Sequence, residues 1–264
     1  MNLYKNLVLQ KDFINQEIFE SGYIVLKNII PSPIICELRS FWFEYIRKQR
    51  TETNFVRSEL LLGEDNFLSY SNTKELCLYR NFEFLWNHSE NIKTRDMCIE
   101  IHQARNVIQG FDPDFGLKYD EKNYGVYLST SLYDANEGFL HYHSDGHGEL
   151  PILHFMLPLS FKGQHYQTGG LFLFDRKGEK VDVDAICQEG DLIFFDGRID
   201  HGVELIGVDG SLGGSSQLGR LAVFAIPTFF SKDATLGVLK RRINISLSNL
   251  KKNFKLNRKA NNEY

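Results

Sequence analysis

Three of the chain's eight histidines fall within seven residues, in His141-Tyr142-His143-Ser144-Asp145-Gly146-His147. On an extended strand successive side chains alternate between faces, so His141, His143 and Asp145 are expected to point the same way. An imidazole and a carboxylate two residues apart can chelate one ion from a single strand, and Gly146 and Gly148 let the chain turn away behind them. The best source of a third ligand is His201, which ends the segment Gly190-Asp191-Leu-Ile-Phe-Phe-Asp196-Gly197-Arg198-Ile-Asp200-His201. It follows a buried apolar run and a glycine turn. Two imidazoles and one carboxylate on one face of an octahedron leave three positions open, which suits a non-haem Fe(II) ion that must also bind exogenous ligands. Zinc prefers a tetrahedral site richer in nitrogen or sulfur.

Arg220 opens the last strongly apolar strand, Gly219-Arg220-Leu-Ala-Val-Phe-Ala-Ile-Pro227, and is the only Lys or Arg between His201 and Lys232. A guanidinium fork at the start of a buried strand calls for a carboxylate. A dicarboxylate cosubstrate would find its anchor there. The competing readings are blander. A lone H-x-D is commonly a loop or a hydrogen-bonded pair. A cupin-type metal enzyme would instead use His141, His143, Glu149 and His201, leaving Asp145 redundant and Arg220 without a task. A non-catalytic jelly-roll binding module would leave the whole set unexplained.

The elements that must position these residues change character along the chain. Gly22–Leu26 reads as a short buried strand. Ser32 is an expected N-cap with Pro33 at the first helical position. Ile34, Ile35, Leu38, Phe41, Trp42, Tyr45 and Ile46 then recur at helical spacing, so a helix is expected over 33–48. A second helix is expected near 73–87. A third is expected near 91–109, with Met97, Ile101, Ala104 and Ile108 on one stripe and Gly110 as its stop. From residue 124 short β-rich runs take over, at 124–133, 138–144, 152–159, 170–175, 181–184, 191–196, 201–206 and 220–229. Eight short strands at this spacing suggest a jelly roll. The expected architecture is α+β with a mainly β core: a helical layer over 1–123 on a jelly-roll core over 124–231, as one domain. The segments expected to line a substrate pocket are the N-terminal helices, 111–123 and 207–218.

Composition sets the outer bounds. The 264 residues are 42% hydrophobic and 24% charged, which excludes a disordered or collagen-like chain. The net charge of −4 gives no general reason to expect nucleic acid as a partner. It conceals an asymmetry, since the tail 232–264 carries nine Lys/Arg against two Asp/Glu and the rest of the chain therefore sums to −11. A basic helical tail with a solvated face is the expectation there. Cys36, Cys77, Cys98 and Cys187 form no C-x-x-C pair. There is no signal-peptide plan at the start and no apolar run of membrane-spanning length, so a soluble, cytoplasmic protein without a membrane partner is expected.

At these residues the sequence resembles the iron(II)- and 2-oxoglutarate-dependent oxygenases. Their H-x-D, distant His and following basic residue are matched by His143-x-Asp145, His201 and Arg220. Gly169-Gly170-Leu171-Phe-Leu-Phe174 and the Gly190–His201 segment also look like that superfamily. Phe19-Glu-Ser-Gly-Tyr-Ile-Val-Leu-Lys-Asn28 resembles the opening of its phytanoyl-CoA dioxygenase-like branch. The gap of 19 residues from His201 to Arg220 exceeds the usual spacing, and the Gly/Ser-rich stretch 207–216 accounts for it as a loop insertion.

The resemblance implies a double-stranded β-helix holding Fe(II) through His143, Asp145 and His201. It implies 2-oxoglutarate as cosubstrate with its far carboxylate on Arg220, and O2 as oxidant, with release of succinate and CO2. Ser129, Ser131 and Tyr133, with Thr130, lie on the strand before the motif, where similar strands help hold the cosubstrate. Because halogenases of this superfamily lack the carboxylate that Asp145 supplies, hydroxylation or a related oxidation is the expected outcome, and by analogy with the family the expected substrate is a small-molecule metabolite or natural-product intermediate. His141, His147, Arg198 and Asp200 are lesser candidates for contact with substrate.

Overall fold

The computed structural model describes residues 2–48, 66–73, 77–85, 91–117, 124–145, 153–212 and 217–229. The tail 232–264, His147 and Glu149 lie outside them, as do 118–123 and 213–216 of the expected pocket segments.

Helices α1 (Leu3–Val8) and α2 (Lys11–Glu20) lead into β1 (Tyr23–Leu26), and α3 (Ser32–Lys48) follows. The amphipathic stripe works as expected: Ile35, Leu38, Trp42 and Ile46 are wholly buried. Ser32 is the first helical residue and not the expected N-cap: the Ile34 and Ile35 N–H groups donate to the Pro31 carbonyl, and the Ser32 hydroxyl donates to the Glu189 carboxylate, so Pro33 stands second in the helix. Helix α4 (Ile92–Ile108) buries Met97, Ile101, Ala104 and Ile108, and the chain leaves it through Gly110 at φ +84. The Trp42 Nε1–H donates to Thr94 Oγ1 at 2.9 Å, tying α3 to α4 inside the core.

The described residues of the expected helix near 73–87 are strand instead: Thr73 ends β2 (Asn66–Thr73), and Cys77–Leu85 forms β3, which pairs antiparallel with it. Aromatic residues recur through Cys77-Leu-Tyr-Arg-Asn-Phe-Glu-Phe-Leu85, and such residues favour a pleated surface. Pairing with β4 then supplies the backbone partners, from Arg80 opposite Leu132 to Leu85 opposite Tyr127. Long-range strand pairing overrides a local helical reading of this kind.

The eight expected strands are all present, as β4 (Tyr124–Asp134), β5 (Phe139–His143), β6 (Leu153–Pro158), β7 (Thr168–Phe174), β8 (Lys180–Asp182), β9 (Leu192–Asp196), β10 (His201–Gly207) and β11 (Gly219–Phe229). The strand expected over 181–184 stops at Asp182. The Asp182 carboxylate accepts from the Ala185 N–H and starts a single turn, α5 (Val183–Ile186). Pairing among the described strands is antiparallel and runs β1-β9-β6-β11-β4-β3-β5-β10-β7-β8, with β2 against β3. This is a mainly β core of double-stranded β-helix type with helices packed on it.

Period-2 alternation sorts the large half of the sheet into two faces. Leu128, Leu132, Leu153, Phe155, Leu157, Leu192, Phe194, Leu221 and Val223 share one core cluster with α1, α3 and α4. The alternate residues, among them Ser129, Ser131, Tyr133, His154, Met156, Ile193, Phe195, Arg220 and Ala222, face the other way. There Met156, Ile193 and Phe195 meet Leu171, Leu173 and Val183 from the smaller half. Helices α1–α4 therefore pack on the outer face of this half of the sheet.

Candidate metal centre

His143 ends β5 and His201 begins β10, and the two are paired opposite each other in register. His201 is 6% exposed and His143 partly buried. The next register pair is Val203 with Leu140, so two steps along β10 match three along β5. This is a β-bulge, the device by which a strand re-aims a side chain. Leu140 and His143 both turn inward across it, while His141 and Tyr142 are exposed. The expectation that His141 shares a face with His143 and Asp145 thus fails: simple alternation does not survive an extra residue.

The imidazole nitrogens of His143 and His201 and a carboxylate oxygen of Asp145 all lie within 4.8 Å of one another. His143 Nε2 stands 3.7 Å from Asp145 Oδ1, and His201 Nε2 stands 3.5 Å from Oδ2. The Nδ1 of each histidine is spent on the backbone. His143 Nδ1–H donates to the His141 carbonyl at 3.1 Å, and His201 Nδ1–H to the Ile199 carbonyl at 2.9 Å. This fixes the tautomer that leaves both Nε2 lone pairs facing the carboxylate, which is how ligating imidazoles are held. Asp145 is pinned through its own N–H, which donates to the Gly197 carbonyl at 2.7 Å. The donor set, its convergence and its tautomers fit a divalent ion of the Fe(II) type.

Electrostatics agree with that fit. Burial disfavours ionisation of Asp145, but the imidazoles of His201, His154 and His143 more than offset it and hold the carboxyl well below its usual range. Burial and the neighbouring His201 push His143 below the usual imidazole range.

Two participants escaped the sequence reading. His154, on β6, brings its Nε2 to 3.7 Å from Asp145 Oδ2 and packs its ring against Phe195 at 5.2 Å. Its signal was present, as a lone polar residue on the inward face of an otherwise apolar strand. The other is Asp196, whose carboxylate is forked by Arg198 at 2.9 and 2.7 Å and reached by Arg176 at 2.8 Å. It braces the turn that delivers His201. Arg198, a candidate for substrate contact, is thereby committed to Asp196.

Arg220 is 2% exposed and reaches the interior beside Tyr133 and Met156. Its Nε donates to Asp184 Oδ2 at 2.6 Å and its Nη2 to Oδ1 at 3.3 Å. Burial alone would lower its pKa, but Asp184 more than offsets this and raises it above the ordinary arginine range. Ser129, Ser131 and Tyr133 are buried on the same face, with Tyr133 opposite Arg220 in register, Ser131 opposite Ala222 and Ser129 opposite Phe224. Thr130 faces the helical layer instead.

No protein-family model matches the sequence, and no curated protein is significantly similar to it. Solved structures are similar in fold. A prolyl-4-hydroxylase of Pseudomonas putida superposes with a TM-score of 0.55 at 16% identity, over 83% of this chain and 96% of that one. A prolyl hydroxylase of Trichoplax adhaerens, in complex with a hypoxia-inducible-factor peptide, gives 0.54 at 13% identity, over 88% and 94%. The non-haem α-ketoglutarate-dependent epimerase SnoN of nogalamycin biosynthesis gives 0.50 at 11% identity, over 83% of each chain. The chain has the double-stranded β-helix fold of the iron(II)/2-oxoglutarate-dependent oxygenases, with a two-histidine, one-aspartate cluster in its interior.

Proposed function

We propose that this protein is an Fe(II)/2-oxoglutarate-dependent dioxygenase that hydroxylates a small-molecule metabolite or natural-product intermediate. The observation that carries the reading is the convergence of His143 Nε2, His201 Nε2 and Asp145, with both histidines locked by Nδ1–H bonds to carbonyls. Among the structural neighbours, SnoN is an α-ketoglutarate-dependent epimerase and SnoK a carbocyclase of the same biosynthesis. They support the class of chemistry and a small-molecule substrate.

In this mechanism His143, Asp145 and His201 would hold the iron, which couples oxidative decarboxylation of 2-oxoglutarate to oxidation of a substrate C–H bond. The chain's own residues set the geometry. Asp145 supplies the one anionic ligand beside two imidazole ligands, so the cluster with a divalent ion bound keeps a net positive charge and attracts the cosubstrate's carboxylate. The depth of Arg220 suits the other end of that molecule. Met156 lies two residues beyond His154 on the same face, about 7 Å along the strand, and Arg220 Nη2 is 3.1 Å from Met156 Sδ. A five-carbon dicarboxylate spans such a gap. Arg220 Nη1 makes no hydrogen bond among the described residues, and that edge can accept the far carboxylate.

The test is anaerobic addition of Fe(II) and 2-oxoglutarate. A weak visible charge-transfer band should appear and should be lost in Asp145→Ala. Arg220→Gln should keep metal binding and weaken 2-oxoglutarate binding. Metal binding that is indifferent to both Asp145 and 2-oxoglutarate would refute the reading and favour a cupin-type enzyme. Substrate-stimulated succinate release would then identify the substrate.

A further inference from the structure

The carboxylate on Arg220 is built in. Asp184 is 5% exposed, and its Oδ2 accepts three bonds: from Arg220 Nε at 2.6 Å, from the Tyr166 hydroxyl at 2.6 Å and from the Leu171 N–H at 2.8 Å. Two of those donors, Tyr166 and Leu171, hold the carboxylate in place independently of the arginine. The opposite wall is shaped to admit it. A Cβ on Gly170, at φ +110, would come within 2.5 Å of Asp184 Oδ2, so only glycine allows this approach. The buried cluster thus contains one guanidinium already matched by one fixed carboxylate.

We propose that Asp184 is a resident counter-ion that occupies one edge of Arg220 and limits the affinity of the interior for a dicarboxylate cosubstrate. The inference rests on the reading of Arg220 as the cosubstrate anchor. A cosubstrate carboxylate arriving at the Nη1 edge of Arg220 shares its charge with Asp184 and makes the buried cluster net negative. Remove the Asp184 charge and the same arginine becomes an uncompensated buried cation, a costly state that an incoming carboxylate repairs. Binding and stability are linked, so a ligand that repairs the defect must bind the defective protein more tightly.

The test compares the full-length wild type, Asp184→Asn and Asp184→Asn/Arg220→Gln. Each is loaded with Mn(II) and titrated with 2-oxoglutarate, and each is titrated metal-free with glutarate, which lacks the keto group and reports on the anchor alone. Calorimetry gives Kd, and thermal unfolding gives the ligand-induced shift in Tm. Asp184→Asn should bind both dicarboxylates about tenfold more tightly or better and show the larger Tm shift, and the double variant should lose both effects. Recovery of a folded Asp184→Asn only when dicarboxylate is present is the same result in stronger form.

Equal or weaker binding by Asp184→Asn, with wild type binding normally, overturns the inference and leaves the proposed function standing. So does an Asp184→Asn that stays unfolded with dicarboxylate while the double variant folds. Binding by Asp184→Asn but not by wild type supports it and shows the anchor closed by its own carboxylate. Failure of both proteins to bind either ligand overturns this inference and the anchor together.

Discussion

The N–H of Asp145 donates to the carbonyl of Gly197 at 2.7 Å. That one bond joins the end of β5, which carries His143 and Asp145, to the turn that delivers His201. The three donor groups therefore share one backbone frame, and the metal site does not depend on side-chain packing alone.

Removal of a donor should abolish the site. Asp145→Ala leaves two facing imidazoles with centroids 4.5 Å apart and no anion between them. Affinity for Mn(II) should fall by more than about 100-fold, beyond what loss of a supporting residue costs, as read by calorimetry. Circular dichroism should stay close to wild type, since the Asp145 side chain is partly exposed and its backbone bond to Gly197 does not need the carboxylate.

His154 should matter less and differently. It touches Asp145 without belonging to the donor group within 4.8 Å. His154→Phe keeps the ring packed beside Phe195 and removes the nitrogen. Affinity for Mn(II) should drop by about tenfold, the scale of a partner that supports a ligand. An unchanged affinity would reduce His154 to a packing residue.

Both the success and the failure of the sequence reading have physical causes. The grouping of His143, Asp145 and His201 was legible because a metal set is a rare combination of residue types, and the burial of Arg220 because it is the one Lys or Arg in the apolar stretch between His201 and Lys232. The β4–β11 strands were legible because short apolar runs were bounded by turn residues. The β2–β3 hairpin was not, since its partner β4 lies some 45 residues away in sequence and local pattern carries no record of it. The exclusion of His141 was hidden for a related reason: a bulge depends on how β10 pairs with β5. Asp184 was invisible because nothing local marks a carboxylate as the future partner of an arginine 36 residues later.

Acid should destabilise the fold from near pH 6.5 downward. His102 is 1% exposed, its Nε2–H donates to the Phe115 carbonyl at 2.7 Å, and its Nδ1 accepts from Arg105. Burial and the Arg105 charge hold it well below the usual imidazole range. As pH falls through about 6.5 the unfolded chain gains a proton that the folded chain refuses, so stability declines by up to about 1.4 kcal/mol per pH unit from this residue. The midpoint of urea unfolding should fall between pH 7 and pH 5. His102→Gln should flatten that decline, and an unaltered profile would remove His102 as its source.

Gly202 should prove to be a metal-site residue without being a ligand. It follows His201 on β10, and an added Cβ would lie 2.7 Å from the Leu140 carbonyl oxygen and 3.0 Å from the Tyr142 backbone. Those atoms form the bulge that turns His143 inward, so Gly202→Ala must push β5 away from β10 at the point where the two histidines meet. Overpacking of this kind costs about 1–3 kcal/mol. Gly163→Ala is the matched control, because its φ of +83 makes alanine strained there while the space around it is open. Both variants should lose stability, but only Gly202→Ala should also lose Mn(II) affinity. Equal metal affinity in the two would mean that the bulge can relax without moving His143.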